Sequence, residues 1–229
     1  MPVVVSDAIQ ALHQDRGVDL RLSTSASGLH MLADGTIGID LHNAASGSTE
    51  TLSVDIVVVG IGVVPNVELA ADAGLTVTNG VVVDEHCRTI DPAIFAAGEV
   101  THHFNPLLGK SLRIESWQVA ENQPAVAVTN MLGGDAVYGE VPWLWSDQYE
   151  TNIQTLGIFE ADDPIIVRGR ASDAAFSVLS VDAVGKLKAV ATVNAGRDIG
   201  AFRRLIQKGI VVPVGRWSDT SVSLRDLLK

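Results

Sequence analysis

The sequence predicts an α/β chain that passes into an α+β module, and three features carry that prediction. Residues 54–66, VDIVVVGIGVVPN, form a β-branched run of the kind buried on both faces in a parallel sheet. Residues 133–142, GGDAVYGEVP, are rich in glycine and turn formers, as segments between domains are. Beyond them NIQTLGIF, PIIVRGR, AFSVLSV and KLKAVATVN read as short strands. One amphipathic helix, DIGAFRRLIQKGI, and a shorter one at SLRDLLK then close the chain. Strands first and helices last is the α+β order.

Taken in order, VSDAIQALHQDRGVDLRLS opens as a helix with Ser6 or Asp7 as cap and Ile9 and Leu12 on one face. A stop follows at Gly17, then a short strand. LHMLADGTIGIDLHN reads as two strands around the Asp34-Gly35 turn. After the 54–66 run come a short helix ending at Gly74, a strand pair around Asn79-Gly80, and a further buried strand through Phe95. A helix covers part of 114–132. Pro124 falls inside it, and because a proline there costs about 3 kcal/mol, a kink or a restart is expected at that point.

The bulk numbers bound the function. The chain has 229 residues, 47% of them hydrophobic, enough for one or two packed cores. No apolar run approaches the roughly 20 residues that span a bilayer, and MPVVVSDAIQ lacks the features of a secretory leader. The single cysteine, Cys87, can form no internal disulfide, so it reads as a small inert residue in a reducing cytoplasm. The formal net charge of −11 disfavours nucleic acid as a partner. One local exception stands out: Arg197, Arg203, Arg204 and Lys208 fall close together near the end of the chain.

Other chemistries are not supported. His102 and His103 lack the carboxylate or cysteine that would complete a metal set, and no G-x-S-x-G nucleophile elbow occurs. What remains is IFAAGEV followed by RIESWQVAENQ. A Gly-acid step, Gly98-Glu99, ends an apolar run, and Arg113, Glu115 and Trp117 follow shortly after. A carboxylate delivered to a hydroxyl-rich ligand, beside a glycine that lets backbone approach it, gives that order a purpose.

Five stretches in this order, VVVGIGVVPNVELAADAGL, DPAIFAAGEV, NPLLGKSLRIESWQVAENQ, PWLWSDQY and NAGRDIGAFRRLI, resemble the C-terminal part of FAD-dependent, NADH-dependent ferredoxin reductases. Those enzymes serve cytochrome-type monooxygenases and ring-hydroxylating oxygenases. The resemblance implies partial doubly wound FAD- and NAD-binding domains followed by a C-terminal α+β reductase domain. Residues 1–56 would be the tail of the NAD module, 57–139 the returning half of the FAD module, and 140–229 the C-terminal domain. By the same resemblance Gly98 and Glu99 would bind the ribityl hydroxyls of FAD. Glu99 replaces the family's Asp and sets its carboxylate about 1.5 Å further out. Trp117 would offer its backbone amide to the flavin ring, with Glu115 on the nicotinamide side. Gly60 and Gly62 would line the nicotinamide-ribose channel. Trp145, with Trp143 and Asp147, would reach over the flavin where an electron leaves.

G-x-G-x-x-G, which the family uses for both pyrophosphates, does not occur. The resemblance therefore implies a piece of that architecture. The C-terminal His-Glu pair of the disulfide-reductase branch is also missing. Two functions follow as expectations. One is electron transfer from NADH through FAD to a 2Fe–2S ferredoxin, docked on Arg203, Arg204 and Lys208. The other is a non-catalytic docking module or homodimer-forming domain.

Overall fold

The computed structural model describes residues 1–228. They divide into two compact units, one of residues 9–64 and one of residues 1–8 with 65–228.

Helix α1 (Val3–Asp15) starts earlier than the capping pattern suggests. The amides of Val5 and Ser6 both donate to the carbonyl of Pro2, so Ser6 and Asp7 fall inside the helix and cap nothing. A proline ahead of the first turn supplies the acceptor that the Ser and Asp side chains were expected to provide. In the smaller unit β1 (Thr24–Met31), β2 (Ile37–Asn43) and β3 (Thr49–Val54) form an antiparallel sheet in the order β1-β2-β3. The expected hairpin is present. Asp34 Oδ1 accepts from the amide and hydroxyl of Thr36, which closes the turn. The short strand expected directly after Gly17 does not form, and β1 begins only at Thr24.

The 54–66 run departs most from expectation. β3 stops at Val54, and residues 55–66 form no regular element. Val58 and Ile61 are 90% and 92% exposed, and Ile56, Val59, Val63 and Val64 are exposed as well. A strand of a parallel sheet takes its hydrogen bonds from neighbours on each edge. Among the described residues no segment pairs with this one. The composition is that of a buried strand without the partners that would bury it.

In the larger unit a short helix α2 (Glu68–Asp72) leads to a four-stranded sheet. Its strands are β4 (Val77–Thr78), β5 (Gly80–Val83), β6 (Thr101–Asn105) and β7 (Lys110–Leu112), in that order, with β5 and β6 parallel. The buried strand expected through Phe95 reduces to one bridge between Arg88 and Phe95. Side chains claim the backbone here. Asp84 accepts from the amides of His86 and Arg88, Thr89 donates to the carbonyls of Asp91 and Ile94, and Asp91 accepts from the Ala93 amide. Such local bonds compete with a sheet ladder and win where no neighbouring strand is offered.

Helix α3 (Trp117–Met131) is capped by Ser116, whose hydroxyl accepts from the Val119 amide at 3.3 Å. It runs through Pro124 as one element, so no restart occurs. The buried side chains of Val119 and Ala127 pack with Cys87, Ile114 and Tyr138, and this burial offsets the missing amide. Residues 132–142 then form no regular element, as the glycine-rich composition suggests.

The last part is a five-stranded antiparallel sheet, ordered β10-β11-β12-β9-β8. It comprises β8 (Trp143–Gln148), β9 (Thr151–Gly157), β10 (Ile165–Arg168), β11 (Phe176–Val181) and β12 (Leu187–Val193). Helix α4 (Ile199–Lys208) buries Ile199, Phe202, Leu205 and Ile206 against it and ends at Gly209, which takes the left-handed conformation of a C-terminal cap. Helix α5 (Val214–Ser218) lies outside the expected pattern; its Trp217 is fully buried. The helix expected at SLRDLLK is a single 3-10 turn, Asp226–Leu228. The Arg168 guanidinium donates to the carbonyls of Trp217, Asp219 and Val222 and ties this tail to β10.

His103 on β6 is buried with neither ring nitrogen hydrogen-bonded, and it meets Tyr138 edge to face at 5.3 Å. Burial, helped by the neighbouring His102, pushes its pKa down to about 4. As pH falls below about 6.5 the unfolded chain takes up a proton that the folded chain refuses, so stability is lost between about 6.5 and 4. Urea midpoints measured across this window should show a loss of about 2–3 kcal/mol that His103→Phe removes. A parallel decline in the variant would clear His103.

Candidate functional site

The turn that ends IFAAGE is held from behind by α3. Gly98 is buried with φ +89°, a conformation that side chains other than glycine rarely take. Its amide donates to Gln123 Oε1 at 2.7 Å, and the Thr101 hydroxyl lies 3.0 Å from the same oxygen and 2.8 Å from the Gly98 carbonyl. A Cβ at position 98 would stand 4.0 Å from Ala120 Cα, so the turn sits directly against the helix. Glu99 follows with its side chain exposed. The arrangement pins the backbone and leaves the carboxylate available to donors from outside.

At the start of α3, Arg113 is largely covered. It forms an ion pair with Glu115 and donates from Nε to Asn79 at 3.1 Å. The pair fixes the approach to the Ser116 cap, and the first helical amides, at Trp117 and Gln118, have no intrahelical acceptor. The Trp117 ring is 60% exposed and meets Trp145 edge to face, with centroids 5.8 Å apart. Trp145, 42% exposed, stacks on Trp143 at 4.7 Å and 30°. Trp143 and Trp145 are two apart on β8, an edge strand, and so share a face.

Trp143 is the fixed member. Its indole N–H donates to Gln154 Oε1 at 3.0 Å, and Gln154 in turn donates to Asn152. A Cβ on Gly196 would come within 2.5 Å of Gln154 Nε2, so that glycine makes room for the glutamine. The Arg203 guanidinium of α4 lies over the Trp143 ring, 5.1 Å from its centroid. The three tryptophans thus run from the N-terminus of α3 to α4.

The structure therefore gathers Gly98, Glu99, Glu115, Trp117 and Trp145 around the first turns of α3. Gly60 and Gly62 belong to the smaller unit. Gly62 has φ +93°, and a Cβ on either glycine would meet nothing within 4 Å, so both leave open backbone. On α4, Arg204 and Lys208 are exposed on one face as their spacing requires, whereas Arg203 is half-buried against Trp143. Among the described residues no group of His, Cys, Asp or Glu could hold a metal ion; His102 Nδ1 instead pairs with the Thr78 hydroxyl at 2.6 Å. Burial pushes the Cys87 thiol up to about 11, which keeps it protonated. No helix of the described residues is long and apolar enough to cross a membrane.

Sequence reasoning missed Gln118, Gln123 and Glu140. Gln118 accepts from the Trp143 amide and donates to Glu140 and to the Val141 carbonyl, and Asn122 donates to the same Glu140 carboxylate. The available signal was the density of amide side chains in WQVAENQ, unusual for a helix expected to pack on an apolar core.

Residues 1–124 match the pyridine nucleotide-disulphide oxidoreductase family, and residues 143–228 match the reductase C-terminal family. The ferredoxin–NAD(+) reductase component of an anthranilate 1,2-dioxygenase system from Burkholderia cepacia is 50% identical over all of this chain and 55% of its own length. Rhodocoxin reductase of Rhodococcus erythropolis is 36% identical over 97% of this chain and 51% of its own. The covalent putidaredoxin reductase–putidaredoxin complex superposes with a TM-score of 0.90 at 33% identity, covering all of this chain and 54% of that one. The chain spans about half the length of the relatives it matches. With more than half of its residues matched, the chain belongs to the pyridine nucleotide-disulphide oxidoreductase family.

Proposed function

We propose that this chain works within a flavoprotein reductase that takes electrons from NADH and delivers them to a 2Fe–2S ferredoxin serving an oxygenase, in the cytoplasm. The observation that supports it best is the Gly98-Glu99 turn clamped by Gln123 onto α3, with Trp117 and Trp145 leading away from the same helix. In this reading residues 1–56 and 57–139 contribute to the nicotinamide- and flavin-binding modules, and 140–229 form the reductase domain.

The residues present fit one end of FAD. A left-handed glycine allows close backbone approach, an exposed carboxylate can accept from ribityl hydroxyls, and the free amide of Trp117 can donate to a ring carbonyl. FAD, when bound, supplies the conversion of a two-electron hydride into single electrons. The protein's part is positional. Gln123 sets the turn, Arg113 and Glu115 fix the entrance to α3, and Gly60 and Gly62 leave room for a nicotinamide ribose. No side chain needs to move a proton.

No phosphate loop of the G-x-G-x-x-G type is present to hold the pyrophosphate. The 229-residue chain alone should therefore lose added FAD on gel filtration, and the absorbance of the protein peak checks this. Stoichiometric yellow protein would contradict it. In a reductase assembled with a polypeptide that supplies both phosphate loops, Glu99→Asp should keep or tighten FAD binding. Glu99→Ala should weaken it by about 1–3 kcal/mol, as read by flavin fluorescence titration. Equal affinities would remove Glu99 from the site.

Ferredoxins of this type are acidic, so an overall charge of −11 opposes encounter and a local basic patch has to overcome it. Arg204 and Lys208 on the open face of α4 supply one, beside Arg203. Reversing Arg204 and Lys208 to Glu in the assembled reductase should raise the KM for ferredoxin several-fold at low salt, with the difference shrinking as salt is added. Hydride transfer from NADH should not change. An unaltered KM at low salt would place docking elsewhere. A docking or homodimer-forming module without redox activity is the second reading, supported by the absence of phosphate loops from this sequence.

A further inference from the structure

Arg203 differs from the rest of the basic cluster. Arg204 and Lys208 project from the exposed face of α4, and the Arg204 Nε donates back to the Gly200 carbonyl at 3.0 Å. Arg203 is half-buried and, among the described residues, has no carboxylate partner. Its contact is the Trp143 ring, 5.1 Å from guanidinium carbon to centroid. In a chain this acidic, a half-buried arginine held by an indole serves the indole as much as itself.

We propose that Arg203 is a positioning residue. Its guanidinium holds the Trp143 ring in the orientation that stacks Trp145, and Trp145 is thereby held as the bridge between the N-terminus of α3 and an acceptor outside.

The geometry supports each step. Trp143 is fixed by its N–H bond to Gln154 Oε1, by packing against the apolar core of the C-terminal sheet and by Arg203. Among the described residues Trp145 has no such anchor. It is 42% exposed and kept in place by stacking on Trp143 and by the edge contact with Trp117. An indole that can turn is also one that can lengthen the gap between donor and acceptor. This inference rests on the electron-transfer reading above. In that reading one electron leaves the reduced cofactor and one iron–sulfur cluster in the partner gains it. The tryptophans are neither oxidised nor reduced; they fill the space between.

The test separates orientation from docking. In the isolated 229-residue chain, two indoles stacked at this distance should give a coupled pair of bands in the far-ultraviolet circular dichroism spectrum. Arg203→Leu should reduce that signal, Arg203→Lys should largely retain it, and Arg204→Gln with Lys208→Gln should leave it alone. Thermal unfolding of each variant checks that the fold persists. In the assembled reductase, Arg203→Leu should lower the rate at saturating ferredoxin by about three- to ten-fold, the scale of one cation–π contact. Its KM should hardly change, the defect should be insensitive to salt, and Arg203→Lys should recover most of the rate.

A coupled signal that persists in Arg203→Leu would overturn the positioning role. So would a lost signal with an unchanged saturating rate, or a defect confined to KM and abolished by salt. Failure of the unaltered assembled protein to reduce any 2Fe–2S ferredoxin would instead defeat the electron-transfer reading. The dichroism result would then stand as a separate fact about the tryptophans.

Discussion

The structure of the larger unit depends on amide side chains buried along α3. Gln118, Gln123 and Asn130 are among its least exposed residues, and each bonds a piece of backbone that has no sheet to satisfy it. Gln123 takes the Gly98 turn. Asn130 accepts from the Ala136 amide and donates to the carbonyls of His86 and Ala136. Gln118 takes the start of β8. Burying an amide without partners costs roughly 2–7 kcal/mol, so these contacts are specific as well as favourable. An apolar helix face of the same shape would leave three loops with orphaned backbone groups. One amide nitrogen, Gln123 Nε2, is left over in this otherwise paired set among the described residues.

The C-terminal sheet works by a different principle. Leu156, Leu179, Val190, Phe202, Leu205 and Trp217 form an ordinary apolar core that specifies little beyond shape. It keeps the backbones of β8 and α4 in fixed relation, with Trp143 packed against it and Arg204 and Lys208 on the open face of α4. Trp143 joins core and site: it packs against this core and stacks on Trp145, so a change in the core can reach the exposed indole.

Much of this was legible from residue order, and the failures share a cause. The hairpin at Asp34-Gly35, the helix within 114–132, the strands after 150 and the amphipathic α4 each carry their signal locally, in turn residues or a period. The 54–66 run and the segment through Phe95 were misread because a buried strand is a statement about neighbours, and composition cannot say whether neighbours are present. Site legibility divides in the same way. Gly98-Glu99 and RIESW stand out as residue types in order. The Gln123 clamp, the Gln118–Glu140 pair and the Arg203–Trp143 contact join positions 22 to 60 residues apart, and nothing in local spacing marks them.

The exposed run after β3 has a colloidal consequence. Between Asp55 and Glu68 there is no charged residue, and the valines and isoleucines on open backbone have the composition of segments that stack between copies of a chain. Gly60, Gly62 and Pro65 interrupt the run and weaken that tendency. The other restraint is the mutual repulsion of molecules that each carry −11. That repulsion is long-ranged and screened by salt, whereas contact between apolar segments is short-ranged and is not. Ionic strength therefore governs how closely two copies of this chain can approach before the sticky segment is felt.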